Sequence, residues 1–140
     1  MSNASIASEK AISGNASALI LAGRVLLSII FILAGFAKLT AISGTAGWFA
    51  SIGLPLPTVT TVVVGLVELV GGIAILVGFQ TRVAAIVLGL FTLAATAIAH
   101  LNFADPTQVM FLQKNLAIAG GLFVLAAFGA GALSIDARRR

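Results

Sequence analysis

Glu68 is the acidic residue to explain first, because it sits within a long apolar run from Val59 to Phe79 and no other acid occurs between Lys10 and Asp105. A carboxylate at bilayer depth is unfavourable by several kcal/mol unless it is protonated, paired or wetted. Two chemistries suit it: holding a cation, or giving and taking a proton near working pH. Arg24, Lys38, Lys114 and Asn115 are the other polar groups that border or interrupt apolar stretches, and His100 is the one histidine. Imidazole titrates near neutrality, so His100 beside Asn102 suits a proton relay. Glu68 and His100 are therefore the catalytic candidates. Arg24, Lys38, Lys114 and Asn115 are the candidates for binding a cofactor or ligand. A plainer role stands beside each: Glu68 as a neutral acid holding helices in register, Arg24 snorkelling to a headgroup, Lys38 and Lys114 as interfacial anchors, His100 as a polar cap.

These residues need rods to carry them. Of 140 residues, 60% are hydrophobic and 9% charged, against roughly 25% charged in soluble domains. So small a soluble chain could not hide that much apolar surface in one core. The expected class is all-α, a transmembrane four-helix bundle. Spans are expected over about 17–38, 59–79, 82–100 and 114–133, each near the ~20 residues that cross hydrocarbon as a helix. Residues 1–16 read as a polar, frayed cytoplasmic tail, 17–136 as the four-span domain, and 137–140 as a basic C-terminal tail. Ile42 to Pro57, with Trp48-Phe49 and Gly-Leu-Pro-Leu-Pro, reads as a short interfacial segment between helices 1 and 2. Gly78 to Arg82 reads as a tight turn.

Small or polar residues three and four apart share a helical face. Arg24, Ser28, Phe31, Gly35 and Lys38 align this way, as do Gly65, Glu68 and Gly72, then Arg82, Ala85, Gly89, Thr92, Thr96 and His100, and finally Lys114, Ala117 and Gly121. Turned inward, these stripes allow close helix approach and line a polar pocket. At ~1.5 Å per residue, Glu68 is ~14 Å and Arg24 ~21 Å below the outer surface, so Arg24 and Glu68 are expected to pair. Lys114-Asn115 would open the fourth helix, an odd place for a cation because a helix N-terminus favours anions. Arg82 is expected to anchor the third span at the inner headgroups.

The net charge of +4 does not argue for nucleic acid, since three of the eight basic residues are the terminal Arg138 to Arg140. With both termini inside, the inner face carries Lys10, Arg24, Arg82 and Arg138 to Arg140, and the outer face Lys38 and Lys114. That bias predicts cytoplasmic termini. Without cysteine the chain holds no disulfide, zinc-thiolate or iron–sulfur site, and it carries no flavin or metal motif.

The ordered set Arg24-Val-Leu-Leu, Gly35-Phe-Ala-Lys38-Leu, Gly53-Leu-Pro55, Glu68-Leu-Val-Gly-Gly72, Gly78-Phe-Gln-Thr-Arg82, Lys114-Asn115-Leu-Ala-Ile-Ala-Gly120-Gly121 and Gly129-Ala-Gly131-Ala-Leu-Ser134-Ile-Asp136 resembles the DoxX family of small bacterial and archaeal membrane proteins. The resemblance implies a four-helix protein of the bacterial inner (plasma) membrane. It also implies a connection to quinone-linked redox chemistry, with quinone as the ligand class and a soluble redox enzyme as partner; composition adds the lipid bilayer, and a transporter of four spans would call for a second copy. Three functions remain open: on the resemblance, an accessory subunit of a quinone-dependent oxidoreductase or a non-catalytic scaffold recruiting soluble redox-defence enzymes, and, on the intramembrane charge, a small-molecule or proton transporter.

Overall fold

The computed structural model describes the backbone of residues 3–139 and the side chains of residues 14–139. Its elements are α1 (Asn3–Thr40), α2 (Ile42–Ser51), α3 (Pro57–Val77), α4 (Thr81–Ala99), α5 (Pro106–Phe128) and the short α6 (Ile135–Arg138). Helices α1, α3, α4 and α5 each contain a segment long and apolar enough to cross a membrane. The first span is continuous with a helix reaching back to Asn3, so the polar segment expected to fray continues the rod. The side chain of Lys10, counted above on the inner face, and Arg140, the end of the basic tail, lie outside the described residues.

The fourth span begins at Pro106, eight residues earlier than the hydropathy pattern suggests. Asp105 is its N-cap, accepting from the Thr107 amide at 2.8 Å, and proline at the first position has no amide to leave unsatisfied. Lys114 is thus about two turns inside α5, not at its N-terminus. Its position needs no special electrostatic account.

The bundle is assembled as two tight pairs. α1 packs along α3 and α4 along α5, while contacts between the pairs are sparser. Glycine sets the first pairing: a Cβ on Gly35 would meet Leu69 N at 2.5 Å and Gly65 O at 2.6 Å, so the two backbones touch there. The pairs join at the end where Gly78 to Gln80 turns α3 into α4. The apolar core of Phe31, Ile75, Ala85, Leu88, Leu122 and Leu125 lies toward that end. Gly78 takes φ +71°, and a Cβ there would strike Ser134 and the Arg24 guanidinium. α6 clasps the turn: the Asp136 amide donates to Gly78 O at 2.8 Å, and its carboxylate accepts from the amides of Gln80 at 2.8 Å and Thr81 at 2.9 Å. At the opposite end the pairs part, and α2 lies across α3.

Candidate functional site

The space between the parted pairs is a cavity of about 700 Å³ whose walls come from all five longer helices. Five of the six candidate residues line it: Lys38, Glu68, His100, Lys114 and Asn115. Arg24 does not.

On the α1/α3 wall, Lys38 Nζ lies 2.8 Å from Glu68 Oε2, their side chains 21% and 10% exposed. The expected partner, Arg24, is buried at the turn end. Its Nε donates to Ile75 O at 2.9 Å, one terminal nitrogen to Leu76 O at 2.6 Å, and the other to Ala130 O and Leu133 O, both at 2.8 Å. Ile75 and Leu76 belong to the last turn of α3; Ile75 O also accepts from the Gly78 amide at 3.3 Å, a long bond that Arg24 supplements. The expectation of an Arg24–Glu68 pair is therefore corrected, and so is that of Arg24 as a ligand-binding residue. The reason is axial register, to which direction adds: Gly35 meets Gly65 and Leu69, so Glu68 is level with that turn of α1, about eleven residues or ~16 Å beyond Arg24. Helical side chains lean toward the N-terminus of their helix, and α1 enters at the turn end. That lean carries Arg24 away from Glu68 and carries Lys38 down toward it.

On the α4/α5 wall, His100 Nδ1 and Gln108 Oε1 are 2.6 Å apart. Asn115 Nδ2 donates to Thr96 Oγ1 at 2.9 Å, and Thr96 Oγ1 passes a bond to Thr92 O at 2.7 Å. Lys114 Nζ sits 4.7 Å from the centre of the Phe111 ring, which also packs 5.2 Å from the His100 ring. With Gln108 Oε1 accepting, the imidazole proton is on Nδ1 and Nε2 is left as an acceptor.

Helix α2 closes this end. Phe49 is buried and Trp48 half-exposed, and both line the cavity. The sequence pattern places Trp48-Phe49 at the interface but gives no sign that they roof a site. Gln108 and Phe111 also escape it, because 102–113 reads as loop once the helix is started at Lys114. The Asp105-Pro106 step was the signal that would have placed both on a helix facing His100.

The site is mostly apolar, with two lysines against one carboxylate. Residues 19–101, which carry Lys38, Glu68 and His100, match the DoxX family model. The chain belongs to the DoxX family. It is 42% identical over 120 residues to inner membrane protein YqjF of Escherichia coli, covering 84% of this chain and 88% of YqjF. It is 34% identical over 126 residues to inner membrane protein YphA of the same organism, covering 86% and 89%. A shorter match, 35% over 72 residues, covers 51% of this DoxX protein and 52% of a Bacillus subtilis protein named "Putative oxidoreductase CatD". No solved structure matches.

Proposed function

We propose that this DoxX protein is an inner-membrane accessory subunit of quinone-linked redox chemistry, with both termini cytoplasmic, and that the cavity is its quinone site. The observation that carries this reading is one cavity joining the Lys38–Glu68 pair on one wall to His100, Lys114 and Asn115 on the other. Ligand sites of this kind are mostly apolar with a few convergent polar groups, and an amphiphile can approach from the bilayer between the parted helix pairs. The name of the CatD relative lends support from its own side, and the names of YqjF and YphA support the compartment.

The donor set fits a ring bearing two oxygens. Lys114 Nζ rests on an aromatic face and is near enough to the cavity to bond an oxygen. Asn115 is held by Thr96, so its amide is fixed before a ligand arrives. A bound quinone supplies two-electron, two-proton redox chemistry. The chain's part is to position the ring and handle protons: His100 Nε2 accepts from a hydroxyl, and Glu68 holds a proton or shares the Lys38 charge. In this reading the electrons come from a partner protein or from a bound cofactor that leaves no motif in the sequence.

Binding of a quinone analogue to the purified protein tests this. Glu68→Ala and Lys114→Ala are each expected to weaken it by roughly tenfold or more, the scale of one charged hydrogen bond. Unchanged affinity in both variants removes the site from the proposal. Recovery of soluble partners by the wild type, lost on deleting the terminal segments, would then favour the scaffold.

A further inference from the structure

A second, polar cavity of about 350 Å³ opens at the turn end, away from the first, between the start of α4, the Gly129–Ala130 stretch and α6. Its cations are Arg82 and Arg139, and no carboxylate among the described residues lies at ion-pair distance from either. The one acid in it, Asp136, is already committed: both its oxygens accept amide hydrogens from the first residues of α4. The site therefore keeps an excess of positive charge. Gly129, at φ +85°, lets the Arg82 guanidinium lie close over the backbone, where an added Cβ would come within 3.4 Å of Nε. Arg139 is fixed over the Phe79 ring, 5.2 Å from its centre. Thr81 also lines the cavity, with its side chain against the Asp136 carboxylate.

One more feature selects the ligand. Ile86 and Leu90 follow Arg82 at four-residue steps, so the three share one stripe of α4. Ile86 is 46% and Leu90 57% exposed, on a helix apolar enough to cross a membrane. A charged pocket is thus continuous with a lipid-facing track. A free phosphate would use the pocket and ignore the track, whereas a phospholipid uses both. We propose that this cavity is a binding site for the phosphate of an anionic phospholipid, held by Arg82 and Arg139, with an acyl chain along Ile86 and Leu90. Basic pockets between helix ends are suited to such headgroups.

The test uses the full-length chain purified in detergent, with phosphatidylglycerol, phosphatidylcholine and inorganic phosphate as separate additives. Lipid retention is read by native mass spectrometry and stability by thermal melting. Wild type is expected to retain phosphatidylglycerol over phosphatidylcholine and to melt higher with it, and inorganic phosphate is expected to shift the melt little. Arg82→Gln and Arg139→Gln should each weaken retention about fivefold, as expected for one basic residue at an anionic surface. Arg138→Gln, an exposed basic residue that does not line this cavity, should leave retention unchanged. Equal retention by wild type and the double arginine variant overturns the site. So does an equal loss in Arg138→Gln, which would mean bulk charge attraction. Stabilisation by inorganic phosphate matching that by phosphatidylglycerol overturns the lipid assignment.

Discussion

Lys38 Nζ and Glu68 Oε2 lie 2.8 Å apart across the α1/α3 interface, half a bundle away from the arginine that the sequence offers as the partner. The pair is the charged centre of one cavity wall, and it makes each member depend on the other. Removing one partner of a shielded pair leaves an uncompensated charge, whereas removing both need not. Lys38→Met or Glu68→Leu alone is expected to destabilise by about 2 kcal/mol, below the ~3–5 kcal/mol of a fully buried pair because Lys38 keeps some exposure. The double variant should be less destabilised than the sum. Thermal melts of the four proteins decide it, and strict additivity would show that the two groups do not interact.

Arg24 should prove more sensitive than either. Its guanidinium donates to four carbonyls that no other side chain among the described residues reaches, of which Ile75 O also accepts from the Gly78 amide. Each bond from a charged donor contributes roughly 1.5 kcal/mol or more, and orphaned buried acceptors add a penalty. Arg24→Gln should lower stability by at least about 3 kcal/mol. Arg24→Lys should rescue only part of it, because an ammonium cannot fan out to four acceptors. A lysine variant as stable as wild type would refute the clasp.

Two glycines separate packing from propensity. Gly35→Ala drives a methyl into the α3 backbone and is expected to destabilise by roughly 1–3 kcal/mol. Gly120→Ala meets nothing within 4 Å and should be neutral or slightly stabilising. Similar losses in both variants, measured by chemical denaturation in detergent, would mean that α1 and α3 do not touch at Gly35.

Asp136 gives stability an acid limb. Burial pushes its carboxyl up, but hydrogen bonds from Thr81 and Gln80 and the nearby Arg139 charge outweigh that and hold it below the usual carboxylate range. A group depressed in the folded state contributes fully above its unfolded value of about 3.9. That contribution fades as pH falls through the folded value. Melting temperature should therefore drop below about pH 4, and Asp136→Asn should flatten this drop while lowering the plateau. An unchanged acid limb in Asp136→Asn would place its origin elsewhere.

The sequence makes the rods, the turn at Gly78 and the small-residue seam between α1 and α3 legible, because bilayer length, glycine and four-residue spacing are local signals. Five of the cavity's polar residues could be named on the same basis. The partner of Glu68 could not, since depth counted from the apparent span ends misses the α1/α3 register that the Gly35 contact sets. Gln108 and Phe111 were hidden by hydropathy, which ends the fourth span where Lys114 appears, although Asp105-Pro106 starts the helix two turns earlier. That α2 roofs the cavity depends on packing against α3, which no local pattern encodes.

Segregating the arginine clasp from the large cavity has an evolutionary consequence. Substitutions separated by more than about 10 Å tend to add independently, so residues around the chamber mouth can be exchanged without loosening the clasp. The lining of the cavity can in this way change while the folding equilibrium stays nearly constant.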